Sequence, residues 1–114
     1  MGLYLLSLVL FSKGDTVIVG DTNYYYADHC FLSTVGLDVE VGLTTLDIIE
    51  AQLNRRMMES AAQVTVLADS SKFGHRSLSL ISDFRSVQRV ITDTNAPSAD
   101  IEKLRGRGIE VILA

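Results

Sequence analysis

The chain has 114 residues, of which 47% are apolar and 21% charged, with eight Gly and a single Pro. That length holds one domain with one core, and the composition excludes disorder and low-complexity architectures. Ten Lys and Arg against fourteen Asp and Glu give a net charge of −4, the wrong sign for a chain that must neutralise phosphates to hold a duplex unaided.

Residues 3–11 form the longest apolar run, but nine helical residues rise only ~13 Å, far short of a ~30 Å bilayer core. A buried strand fits better than a membrane span, and neither a basic start nor a small-residue cleavage site marks a secretory signal. The single Cys30 has no internal disulfide partner, and no CxxC or Cys/His set exists, so a metal-free, cofactor-free fold in a reducing, cytoplasmic setting is expected.

In chain order, residues 3–10 and 16–19 read as two short strands around a turn-like Ser12, Lys13, Gly14 and Asp15. Residues 23–26 hold three consecutive Tyr, which suit an edge strand, a short helix or a subunit contact. Residues 30–35 read as a buried strand ended by Gly36. Leu46, Ile49, Leu53, Met57 and Ala61 then recur three or four apart, which predicts an amphipathic helix over 46–62 with those residues buried. Thr44 with Asp47 fits a capping box at its start. Residues 64–68 and 87–91 read as strands and 97–105 as a helix with Ile101 and Leu104 inward. Gly108 suits its stop, and 109–113 is a last strand, which makes the neighbouring strands parallel through a crossover.

Parallel α/β sheets bind ligands beyond the carboxyl ends of their strands. Two loops there carry chemistry. Gly36-Leu37-Asp38 and Gly42-Leu43-Thr44-Thr45 lead into a helix whose first turn offers N–H groups, hydroxyls and a positive dipole end, either as a simple cap or as an anion site. Asp69-Ser70-Ser71-Lys72-Phe73-Gly74 follows the strand at 64–68 and adds two hydroxyls and a cation; Lys72 alone would be a solvated charge. His75 and Arg76 extend that loop. With carboxylates at Asp38, Asp47 and Glu50, the mixture suits a phosphorylated sugar. Asp28-His29-Cys30 is no metal or thiol site, because neighbours in a strand alternate faces. Ser70 and Ser71 lack a positioned base. Met57 and Met58 are packing residues.

The ordered string Phe31-Leu32-Ser33-Thr34-Val35-Gly36-Leu37-Asp38, Gly42-Leu43-Thr44-Thr45, Glu50-Ala51 and Ala68-Asp69-Ser70-Ser71-Lys72-Phe73-Gly74 resembles the DeoR family of bacterial sugar-metabolism repressors. The likeness covers residues 27–114 and lies in the C-terminal effector-binding domain, itself similar to ribose-5-phosphate isomerase and glucosamine-phosphate deaminase folds. It implies a partial α/β parallel-sheet domain, 1–114, that senses a phosphorylated sugar effector. Lys72, Glu50 and Asp38 match the polar positions resembling the isomerase active site, and Gly42, Thr44 and Thr45 match the loop entering the ligand-facing helix. Lys72 would meet phosphate or a sugar oxygen, and Glu50 or Asp38 would accept sugar hydroxyls.

The resemblance also implies that DNA is met only through a helix-turn-helix domain absent from this chain. Residues 1–26 are divergent, with only Gly20-Asp21-Thr22 hinting at the family's middle segment, so a truncated frame is expected. Self-association is expected too, through an exposed sheet edge or the apolar 3–10 stretch. The competing readings are a sugar-phosphate isomerase with Glu50 as base and Lys72 as charge stabiliser, and a module that only oligomerises.

Overall fold

The continuous apolar runs of the sequence become strands of a parallel sheet in the computed structural model, which describes residues 17–19 and 27–114. The expected strand at 3–10 and the tyrosines Tyr24, Tyr25 and Tyr26 lie outside the described residues. The parallel strands are β1 (Val17–Val19), β2 (Ala27–Ser33), β5 (Ala61–Leu67), β7 (Arg89–Thr92) and β8 (Glu110–Leu113), in the spatial order β1-β2-β5-β7-β8. Cys30 pairs with Val64, Val66 with Val90 and Val90 with Val111. Because side chains alternate faces, one face presents Cys30, Leu32, Val64, Val66, Val90 and Val111, all buried.

Two helices share that core. α1 (Ile48–Glu59) comes just before β5, and α2 (Ser98–Gly106) lies between β7 and β8, joining parallel strands as a crossover must. Ile101 and Leu104 of α2 are buried as the pattern predicts, and Gly108 stands just past its end. The α1 face is different from the predicted one. Leu46 and Ile49 are 63% and 69% exposed, whereas Ala51, Asn54, Met57 and Met58 are buried. Apolar residues run down both sides of this helix, and the sheets take the side with the two methionines.

The capping box at Thr44 is also corrected: Thr44 lies inside a strand, and the N-cap is Asp47, whose carboxylate accepts from the Ile49 N–H at 3.1 Å. β3 (Gly36–Asp38) and β4 (Gly42–Thr45), segments expected to be loops, build with β6 (Ser79–Ser82) a second, antiparallel sheet ordered β3-β4-β6. Leu37, Leu43 and Ile81 carry its inner face into the common core and are fully buried. Its register slips between Leu43 and Thr44. Nearby, the Arg55 guanidinium from α1 donates to the Ile81 and Leu80 carbonyls at 2.8 and 2.9 Å, which fixes the helix to β6.

Candidate functional site

Three strands of the parallel sheet end side by side, and their outgoing loops are stitched to one another. After β2, the Thr34 hydroxyl lies within donating distance of the Gly36 and Thr44 carbonyls, 2.7 and 2.8 Å, and turns the chain into the β3 hairpin. After β5, Asp69 caps a single 3-10 turn, Ser70–Lys72, by accepting from the Ser71 N–H and hydroxyl. After β7, the Asp93 carboxylate accepts from the Ser70 N–H at 3.0 Å and the Asn95 N–H at 2.9 Å, which ties the second loop to the third. These backbone donors hold the Asp93 carboxyl below the usual carboxylate range, Ser70 contributing most.

The loop carrying Lys72 lies along β3. Phe73 bridges Leu37 in parallel fashion, and the Gly74 N–H donates to the Leu37 carbonyl at 2.8 Å. The approach is close enough to require glycine at 36: a Cβ there would stand 2.3 Å from the His75 carbonyl oxygen and 2.5 Å from Thr44 Oγ1. One step on, the Ser77 N–H donates to Thr44 Oγ1 at 2.9 Å. Thus the two polar stretches that the sequence separates by a helix and a strand meet along the β3–β4 hairpin.

Each sequence-predicted site residue has a definite place on this frame. Asp38 is bound three ways: its Oδ1 accepts from the N–H groups of Glu40 and Val41, and its Oδ2 from Arg76 Nε at 2.8 Å. The Arg76 guanidinium, first, and those N–H groups hold the Asp38 carboxyl low. Thr45 donates to Glu50 Oε1 at 2.6 Å, so the exposed carboxylate of the first helical turn is oriented by a buried hydroxyl. Thr44 is buried as the acceptor for Ser77. Gly42, at φ 126°, occupies backbone space that a side chain would not: a Cβ would lie 2.4 Å from the Ser82 carbonyl oxygen. Lys72 is half-buried and makes no ion pair among the described residues.

Comparison with known proteins agrees with this frame. A family profile described as the DeoR C-terminal sensor domain matches residues 13–94. The chain belongs to the DeoR family. Its sensor domain is 41% identical over 100 residues to a candidate aga operon transcriptional repressor of Escherichia coli O157:H7, covering 88% of this chain and 37% of that protein. It is 36% identical over 87 residues to the HTH-type regulator YulB of Bacillus subtilis, 76% of this chain and 34% of the relative. The HTH-type regulator GlpR of Haloferax volcanii is 38% identical over 85 residues, 75% of this chain and 33% of the relative. The chain therefore spans about a third of the length of the curated relatives it matches. The names of these relatives are those of transcriptional regulators.

The helix start of this DeoR domain is a poor place for an anion. Asp47 occupies the Ile49 N–H and Glu50 adds a second carboxylate to the same turn, so the positive end of the dipole is already answered by negative charge. The cation of the carboxyl edge comes from the Lys72 loop instead. Arg76, legible in the sequence only as an extension of that loop, proves to be the partner of Asp38. The role of Asp93 was not legible, because nothing in Asp93-Thr94-Asn95 distinguishes a stitching carboxylate from a turn residue.

A sizeable cavity of the DeoR domain lies elsewhere. It measures about 710 Å³, and Val87, Gln88, Gly108 and Ile109 place it where β7 and β8 begin, with Glu40, Asp83, Phe84, Arg85 and Arg107 completing it. Its charges are answered locally: Arg85 pairs with Asp83 at 2.9 Å, Lys103 with Glu40 at 3.7 Å, and Arg107 lies over the Phe84 ring. Among the described residues no group of three or more His, Cys, Asp or Glu side chains could hold a metal, and no helix is long and apolar enough to cross a membrane. Cys30 is fully buried, and burial pushes its thiol up to about 11.

Proposed function

We propose that this chain is the effector-sensing part of a transcriptional repressor of carbohydrate metabolism and that its effector is a phosphorylated sugar held at the carboxyl edge of the parallel sheet. One observation carries the reading: the Lys72 ammonium makes no ion pair among the described residues and sits on a loop docked against the hairpin that carries Asp38, Thr44 and Thr45, with Glu50 linked through Thr45. An ammonium without a carboxylate of its own is a point charge left for a phosphate or a sugar oxygen. Glu50 and Asp38 accept sugar hydroxyls. Gly42, Thr44 and Thr45 shape the surface on which the ring rests, because their own backbone space and hydroxyls are already committed to neighbouring residues.

The role is sensing and not turnover. An isomerase using Glu50 as base would need that carboxylate enclosed beside the carbon acid, whereas Glu50 is exposed and already accepts a hydroxyl proton. DNA contact falls to a helix-turn-helix segment outside this chain, in keeping with the relatives named HTH-type regulators, and the setting is cytoplasmic.

Thermal denaturation in the presence of a panel of sugar phosphates, with the unphosphorylated sugars and inorganic phosphate as controls, tests the proposal. A ligand at 100 times its Kd adds about 2.7 kcal/mol to the folded state, which raises Tm by on the order of 10 °C in a domain of this size. The expected outcome is such a rise for at least one phosphorylated sugar, with none of it converted. Conversion to an isomer would favour the enzyme reading, and no rise with any member of the panel would leave only an oligomerisation module.

A further inference from the structure

A single turn brings together the residues that carry two cations of the Lys72 loop. The His75 N–H donates to the Lys72 carbonyl at 3.3 Å, Phe73 has φ −69° and ψ 135°, and Gly74 has φ 77°. Those are the angles of a type II turn, which needs φ above zero at its third residue and keeps its ends within about 7 Å. Lys72 opens the turn, and Arg76 follows directly on His75, which closes it. The turn rests on β3 through Phe73 and Gly74, and because Gly36 has no side chain the His75 carbonyl can pass close against it. Arg76 then reaches Asp38, further along the same strand.

The two cations are held differently. Lys72 makes no ion pair among the described residues. The Arg76 guanidinium is exposed but fixed by a carboxylate: Asp38, whose side chain is only 12% exposed, is itself held by the Glu40 and Val41 N–H groups and takes Arg76 Nε at 2.8 Å. Nε is one of five N–H groups in a rigid planar fork, and the other four make no hydrogen bond or ion pair among the described residues. Charge around the fork is balanced, since Asp38 answers Arg76, and Glu40, close enough to favour the Arg76 charge, pairs with Lys103 at 3.7 Å. Arg76 therefore brings direction and no net charge. An acceptor and a donor fork joined in one neutral pair suit a neutral group that does both, a hydroxyl donating to Asp38 Oδ2 and accepting from the fork. A phosphate there would meet the Asp38 charge with repulsion, and Lys72 suits it better.

We propose that Arg76, fixed by Asp38, is the residue through which this site selects among sugars: it donates to a ligand hydroxyl whose proton Asp38 accepts, while Lys72 takes the phosphate. The proposal rests on the sugar-phosphate reading of the same site and adds to it a division of the ligand between the two cations. A sugar whose hydroxyl points elsewhere leaves the fork and the carboxylate without that partner, which is how a polar site rejects a near-isomer.

Isothermal titration with glucose, mannose and galactose 6-phosphates, fructose 6-phosphate and ribose 5-phosphate tests it on wild type, Lys72→Ala and Arg76→Lys. Wild type is expected to bind one of these sugars about ten-fold or more tightly than the rest. Arg76→Lys keeps the charge and loses the fork. It is expected to bring the favoured sugar down to the affinity of the others, with the circular dichroism spectrum retained. Lys72→Ala is expected to weaken all of them by a similar factor and to keep their ratios. A loop that merely lifted from β3 would carry Lys72 away with it and weaken every sugar alike, so the ratios separate a selecting residue from a structural one. The proposal is overturned if Arg76→Lys keeps the wild-type ratios, whether at full or at uniformly reduced affinity, or if wild type binds all the sugars alike; the sugar-phosphate reading survives each of these results. Failure of wild type to bind any of them removes that reading and the proposal with it. Should Arg76→Lys not fold, Arg76→Gln is read by the same ratios.

Discussion

The two edges of the parallel sheet solve opposite problems. At the amino edge there is room, a cavity of about 710 Å³, where Arg85 pairs with Asp83, Lys103 with Glu40, and Arg107 lies over the Phe84 ring. At the carboxyl edge the loops are drawn together by Asp93, Phe73 and Thr44, and the Lys72 ammonium has no ion pair among the described residues. A cavity with internally answered charge has little to gain from an ion, whereas a cation with no pair among the described residues has a specific chemical demand.

The sharpest way to break this comparison is to pry the carboxyl-edge loop from its support. Gly36→Ala would force a methyl against the His75 carbonyl and the Thr44 hydroxyl; overpacking against backbone costs about 1–3 kcal/mol, and the Lys72 loop is expected to lift from β3. Chemical denaturation should show the loss, and ligand-induced stabilisation should vanish with it. A variant that keeps wild-type stability would mean that the loop does not rest on β3 as described.

A second variant pair compares the edges without disturbing the fold. Lys72→Ala is expected to weaken sugar-phosphate binding by about 10- to 100-fold, the worth of a charge-assisted contact, with an unliganded Tm close to wild type. Arg107→Ala, in the amino-edge cavity, is expected to leave the affinity unchanged. Isothermal titration with the ligand found in the thermal panel reads both. The reverse pattern would move the site to the amino edge.

How much of this was legible in the sequence follows from element length. β2, β5, β7 and β8 announce themselves as apolar runs because a parallel sheet buries them, and the helix at 98–106 was read nearly to the residue. The second sheet was not legible: Gly36–Asp38 and Gly42–Thr45 are three and four residues long, too short to show alternation, and their glycines and polar residues look like loop. Leu46, Ile49 and Leu53 followed the rule for a buried stripe and misled it, since α1 carries apolar residues on two sides and spacing cannot say which side the core takes. Lys72, Asp38 and Glu50 were singled out from the chemistry of their loops and from the family likeness. That Asp38 is bound by Arg76, and Glu50 by Thr45, depends on chain crossings that no local pattern encodes.

Acid should affect the edges in a graded way. Asp38 and Asp93 at the carboxyl edge and Asp83 at the amino edge all have carboxyls held below their usual range, by Arg76, by the Ser70 N–H and by the Arg85 N–H respectively. A carboxyl lowered in the folded state contributes stability that is present above its unfolded pKa of about 3.9 and is lost as pH falls through the folded value. Tm is therefore expected to be flat near neutrality and to drop below about pH 4. Asp38→Asn should begin with a lower Tm and fall less steeply. Superposable acid profiles for the variant and the wild type would deny Asp38 its part in the linkage.

The smallest effect belongs to the amino edge. Arg85 pairs with Asp83, but its side chain is 90% exposed, and an ion pair in water gains little once side-chain entropy and salt screening are counted. Arg85→Ala is expected to keep Tm within about 1 °C of wild type at physiological ionic strength. It should also keep sugar-phosphate affinity, because what the pair contributes to its cavity is charge neutrality and not a contact. A loss of affinity in Arg85→Ala would show that the cavity communicates with the carboxyl edge, and the distinction between a filled demand and an open one would then have to be drawn across the whole sheet.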